Sequence, residues 1–166
     1  MSVQSASEKG LHFVEVQVDE QFRAQVQPDL LHTAALTTLI HQRLEGPCEL
    51  AVVVADDEVL HELNRRHRDV DAPTDVLAFP DETHGPFVAA PGLPHYLGDV
   101  VISFQRAEVQ AAEAGHDVQA ELQLLVVHGV LHLLGYDDVA EEKRARMWDV
   151  QAQVLQALGV DVHLPT

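Results

Sequence analysis

The stretch LAVVVADDEVLHELNRR, residues 50–66, decides the fold class. LAVVVA is a short run rich in β-branched residues and bounded by acidic ones, which reads as a buried strand. Asp56 can cap a helix that runs through Val59, Leu60 and Leu63 to about Arg66. A strand that passes straight into a helix is the repeating unit of an α/β sheet. Upstream, VEVQV at 14–18 alternates with period two and reads as a half-buried strand. PDLLHTAALTTLIHQRLEG at 28–46 follows as a helix, with Pro28 near its start and Gly46 at its end. Downstream, DVLAFP at 75–80 reads as a strand ended by proline. A long loop at 80–96 carries four prolines and two glycines. GDVVISF at 98–104 reads as a further strand. Ser103 can cap a helix ended by Gly115, Asp117 a helix ended by Gly135, and a last helix spans about 139–158. The expectation is an α/β (α+β) fold: a mixed, mostly parallel sheet of about four strands with about five helices.

At 166 residues the chain is expected to form a single domain over 1–166. Its formal net charge is −17. Such a charge favours solubility and repels polyanions at long range, which argues against a general nucleic-acid coat protein. A lone cysteine, Cys48, excludes an intrachain disulfide framework and fits a reducing compartment. The N-terminus lacks a signal pattern, and no aliphatic run approaches the ~18 residues of a membrane span. A soluble, cytoplasmic protein is expected, with no membrane partner.

Chemistry concentrates in HGVLHLLGYDD, residues 128–138. On a helix, positions i and i+4 lie about 40° apart around the axis and ~6 Å apart along it. His128 and His132 can then bite one cation from one face. Gly135 ends the helix, and the turn can bring Asp138 back towards both rings. Zinc accepts imidazole nitrogen and carboxylate oxygen, and three protein ligands leave a fourth position for water, as in catalytic sites. Two partly buried histidines on a core helix are the plainer alternative, which the glycine and carboxylate at these offsets disfavour. The spacing resembles the metzincin signature, but Gly129 stands where the general-base glutamate belongs. A zinc metalloprotease is therefore a distant alternative.

A second stretch, LNRRHRDVDAPTDVLAFP at 63–80, holds Arg65, Arg66 and Arg68; Lys143, Arg144 and Arg146 follow the histidine motif. Six of ten cations thus sit beside candidate sites, which lets an acidic chain hold a phosphate locally. Arg65 and Arg66 read as helix-end residues complementing the dipole. Arg68 is placed beyond that helix, in the loop before Pro73, and is assigned a functional role.

Three blocks in order, LN…HRDVDAPTDVLAFP, LGDVVIS at 97–103 and HGVLHLLGYDD, resemble the YbeY family of bacterial rRNA-maturation endoribonucleases. The resemblance covers about residues 50–150. It implies a single α/β domain, a zinc-type metal and cleavage of single-stranded RNA. It also implies a role in rRNA 3′-end processing and ribosome quality control, with the ribosome or its small subunit as partner and no DNA. The family's arginine falls on Arg68, and its first two metal histidines on His128 and His132. Its motif ends G-Y-D-H, whereas this chain reads Gly135, Tyr136, Asp137, Asp138. Asp138 can ligate directly, and is assigned as the third ligand. Otherwise Asp137, His84 or His95 takes its place, or metal affinity is low.

In this reading the three ligands hold Zn2+, with Mn2+ or another divalent metal as the other option for a harder ligand set. Arg68 neutralises charge that develops on the phosphoryl group. No residue stands out as general base. Asp75, Asp99 and Asp137 are candidates for orienting the ligands, with strand-end or turn roles the expectation for Asp75 and Asp99. A non-catalytic ribosome-associated factor with a decayed site is the competing hypothesis.

Overall fold

The computed structural model describes residues 12–81, 93–160 and 162. The 50–55 run lies in the central strand of the sheet, β2, which spans Cys48–Ala55. Strand β1, Phe13–Val18, pairs with it in parallel, with Val14 opposite Leu50 and Val16 opposite Val52. Strand β4, His95–Ser103, lies parallel on its other side, with Val52 opposite Val100 and Val54 opposite Ile102. Strand β3, Val76–Pro80, runs antiparallel along the outer edge of β4, giving the order β1-β2-β4-β3. Five helices complete the α/β fold: α1 Pro28–His41, α2 Asp57–Arg68, α3 Phe104–Ala114, α4 Val118–Leu133 and α5 Glu141–Leu158. No described helix is long and apolar enough to cross a membrane.

Period-two alternation assigns the faces. Leu50, Val52, Val54, Val100 and Ile102 are fully buried and pack with Leu31, Leu39, Leu122, Val126 and Met147 in the main core. The opposite face carries a smaller cluster of Ala55, Leu60, Leu77 and Val101 under α2. In β1 only alternate residues are shielded, as its lone repeat of Val14, Val16 and Val18 requires.

Several boundaries differ from the sequence expectation, each for a local reason. Helix α1 stops at His41 rather than Gly46, because Arg43 turns left-handed at φ 54°. Strand β4 begins at His95, three residues early, and a register shift opposite Glu49 and Leu50 absorbs the extra residue between Tyr96 and Gly98. Asp117 precedes α4 without a side-chain capping bond; the Glu121 carboxylate instead meets the His116 ring at 2.6 Å. Asp56 and Ser103 do cap, accepting from Val59 N–H and Arg106 N–H at 2.9 and 3.2 Å.

Helix α4 lies directly on β4 through Gly129. A Cβ built at Gly129 would meet Val100 Cγ1 at 2.5 Å, far inside van der Waals contact. Position 129 therefore faces the sheet, and no acidic side chain can stand there without separating the two elements. Gly129→Ala is expected to lower stability even though alanine favours helix by about 1 kcal/mol. Overpacking a rigid valine costs about 1–3 kcal/mol. Chemical denaturation measures the difference, and a variant more stable than wild type would contradict the close approach.

Candidate metal centre

Helix α4 is buried along nearly all its length, and His128 and His132 occupy its one half-exposed flank. The core-facing residues on either side, Val127, Val130 and Leu131, fix the helix rotation and so the direction of both rings. Past Leu133 the chain reverses at Gly135, whose φ of 99° suits glycine. The reversal is held by Gly135 N–H to His132 O at 3.0 Å and Tyr136 N–H to Leu131 O at 3.0 Å. Asp138 then points back at the rings.

The three donor atoms converge. His132 Nε2 lies 3.1 Å from His128 Nε2, and Asp138 Oδ2 lies 3.7 Å from each nitrogen. In a tetrahedral site with bonds of ~2.0–2.2 Å, ligand atoms stand about 3.3–3.6 Å apart. The observed separations straddle that edge length, so two imidazoles and a carboxylate can hold one divalent ion and leave a fourth position open. Among the described residues these three form the group of histidine, cysteine and acidic side chains placed for such a role.

A buried amide fixes the tautomer of His128. Gln151, on α5, is 1% exposed, and its Oε1 lies 3.0 Å from His128 Nδ1. An amide oxygen only accepts, so neutral His128 carries its proton on Nδ1 and presents the Nε2 lone pair to the site. Burial pushes the His128 pKa down, and the neighbouring His132 adds to the effect; Gln151, Asp138 and Asp75 oppose it. Gln151 had a signal in the sequence: it falls among Met147, Val154 and Leu155 on the apolar stripe of α5, where a polar residue needs a buried partner. Trp148 is the other neighbour that motif reading overlooked. Its ring lies 5.7 Å from that of His128 and stays 37% exposed.

The alternative ligands are placed elsewhere. Asp137 Oδ1 accepts from Val139 N–H at 2.9 Å and shapes the turn into α5. His95 opens β4 beside Cys48 and is outside the donor group. His84 lies outside the described residues. Asp75 accepts from Val76 N–H at 2.8 Å and from Gln110 Nε2 at 3.2 Å, a strand-end role, although its charge reaches His128. Asp99 accepts from the Tyr96 hydroxyl.

Arg68 does not lie beyond the second helix, as the sequence suggested, but is its last residue. Two extra residues fit because Asp69 takes the left-handed C-cap at φ 58°. The exposed guanidinium donates to Ala78 O at 2.6 Å and lies 5.3 Å from the Phe79 ring centroid. Ala78 pairs with Val100, the residue that Gly129 rests on, so Arg68 is anchored one strand from α4. Arg65 and Arg66 pair with Glu62 at 2.7 and 3.9 Å, a surface arrangement. Lys143 and Arg146 line a cavity of about 400 Å³ with Gln42 and Tyr136, on the other flank of α5 from Trp148.

A family model described as Endoribonuclease YbeY matches residues 14–159. The chain belongs to the YbeY family. A relative named Endoribonuclease YbeY from Chloroflexus aurantiacus is 45% identical over 152 residues, covering 90% of this chain and 97% of the relative. Another of that name from Roseiflexus castenholzii is 45% identical, covering 89% and 93%, and one from Shouchella clausii is 43% identical, covering 89% and 95%. The solution structure of a Thermotoga maritima protein superposes with a TM-score of 0.57 at 23% identity, covering 87% of this chain and 88% of that one, a likeness of fold.

The His128 environment predicts a pH dependence. Its folded pKa lies below the unfolded value near 6.5, so the unfolded chain takes up the proton first. The stabilisation from neutral His128 is complete above about pH 6.5 and declines as pH falls below it. His12, buried and accepting from Cys48 N–H at 3.1 Å, is shifted the same way by burial. In chelator-treated protein, His128→Asn should lose less stability than wild type between about pH 7.5 and 5.5. Identical losses by denaturant titration would contradict the assignment.

Proposed function

We propose that this YbeY-family chain is a metal-dependent endoribonuclease acting on single-stranded RNA, with ribosomal RNA as substrate. The setting is the cytoplasm, in 3′-end maturation and ribosome quality control beside the small ribosomal subunit. The observation that carries the reading is the convergence of His128, His132 and Asp138 in a chain whose relatives are named endoribonucleases. Zinc is the favoured ion for two imidazoles and a carboxylate, with Mn2+ the next choice because one ligand is a hard anion.

A divalent ion in this position supplies Lewis acidity towards a phosphodiester. The chain's own residues do the rest. Gln151 holds His128 in the ligating tautomer, and burial keeps that ring neutral at pH 7. Asp138 contributes the negative charge that partly offsets the cation. Arg68 presents unused guanidinium donors at the surface and neutralises charge on phosphoryl oxygens. The 2.6 Å bond to Ala78 O restrains its approach. A second reading, a ribosome-associated RNA-binding factor without cleavage, draws on Asp138 standing where the family motif has histidine.

Three sets of variants test the proposal. Protein purified without chelator should hold stoichiometric metal and cut single-stranded RNA, and a His128→Ala, His132→Ala double variant should lose both. Equal residual cleavage in the two proteins would indicate a contaminating nuclease and leave the binding-factor reading standing. Arg68→Ala should retain metal while lowering kcat by roughly 10²-fold. For the third ligand, Asp138→His should bind zinc more tightly in a competition titration. It should also shift the rise of cleavage to lower pH, since three neutral imidazoles leave the centre more electrophilic. No change in either quantity would remove Asp138 from the ligand set.

A further inference from the structure

Trp148 is the chain's single tryptophan and sits where α5 borders the donor group. It is 37% exposed on a helix whose neighbouring positions Met147 and Gln151 are buried. Burying a tryptophan releases much apolar area, and a folded core had room for its neighbours, yet this ring is left with an open side. Its ring centroid lies 5.7 Å from that of His128, with the two planes tilted by 38°.

One helical turn earlier on the same face stands Arg144, at i−4. Among the described residues no ion pair engages Arg144. The two residues place a cation one helical turn from a partly exposed aromatic ring, adjoining donors that suit a divalent ion. That is the composition by which proteins hold single-stranded nucleic acid: an aromatic ring stacks a base while a cation meets the backbone. Against a net charge of −17, a local device of this kind is needed for a polyanion to dwell at the site. An apolar protein partner would ask instead for a contiguous apolar patch, and the residues flanking Trp148 outward, Arg144 and Asp149, are charged.

We propose that Trp148 is a nucleobase platform: it stacks an unpaired base of the RNA and, with Arg144 on the adjoining phosphate, positions the strand against His128, His132 and Asp138. The assignment rests on the endoribonuclease reading and adds to it the requirement for an unpaired base at one defined place. A base still locked in a duplex could not lie on this ring, so the platform favours single strands by geometry.

Because Trp148 is the lone tryptophan, its fluorescence reports the contact directly. The full chain, treated with chelator so that RNA is not consumed, is titrated with a labelled six-residue oligoribonucleotide, read by anisotropy and by tryptophan quenching. Wild type should bind with quenching. Trp148→Ala should bind roughly 5- to 150-fold more weakly, and Trp148→Phe should restore most of the loss. An abasic nucleotide at the stacked position should weaken wild type by a similar factor and leave Trp148→Ala unaffected. In the metal-loaded enzyme Trp148→Ala should raise KM more than it lowers kcat. RNA that binds wild type without quenching, or binds Trp148→Ala equally well, overturns the platform while leaving the nuclease reading intact. Wild type that neither binds nor cuts RNA overturns the nuclease reading itself, and the platform with it.

Discussion

Everything at the candidate centre depends on how closely α4 lies against β4. Gly129 on Val100 sets that distance. Once the helix is seated on the sheet by Gly129 and by Val126, Val130 and Leu131, its remaining flank is fixed in direction. That flank carries His128 and His132. A bulkier residue at 129 would tilt the helix and move both rings together, so a packing constraint in the core and the aim of two imidazoles are one and the same fact. The same contact explains why a protease-like glutamate has no place in this chain: the position after the first histidine is turned into the sheet.

Around this seat the polar groups are arranged by distance from water. Gln151, almost wholly buried, bonds the inner nitrogen of His128. The outer nitrogens of both histidines face Asp138, which is itself about one-third exposed. The site thus grades from a dry amide to a wet carboxylate across the width of two side chains. Such a gradient keeps His128 neutral on the inside while leaving an approach from solvent on the outside.

Much of this was legible in the sequence. The strand at 50–55 and the capped helix after it follow from β-branched content and Asp56, and period two in 14–18 gave the half-buried edge. The histidine spacing, Gly135 and Asp138 are contiguous, so local helix geometry sufficed to bring them together. What escaped was non-local. Gln151 and Trp148 lie on a different helix, and their meeting with His128 depends on how α5 docks, which no local period encodes. The antiparallel pairing of β3 with β4 is a contact between strands, which no local period encodes. Helix ends at His41 and Arg68 turn on left-handed residues, Arg43 and Asp69, that are not glycine and so give little warning.

The donor group also has a topological character. His128 and Asp138 are ten positions apart on one continuous segment, the end of α4 and the turn after it. An ion bridging them closes only a short loop, and short loops remove little entropy from the unfolded chain. It would fasten that turn to its own helix without joining distant parts of the sheet. The sheet and its helices are held by the valine- and leucine-rich core, independently of the centre. Binding of an ion at this place would therefore be a local event, and the fold would not depend on it in the way that a metal-stapled mini-domain does.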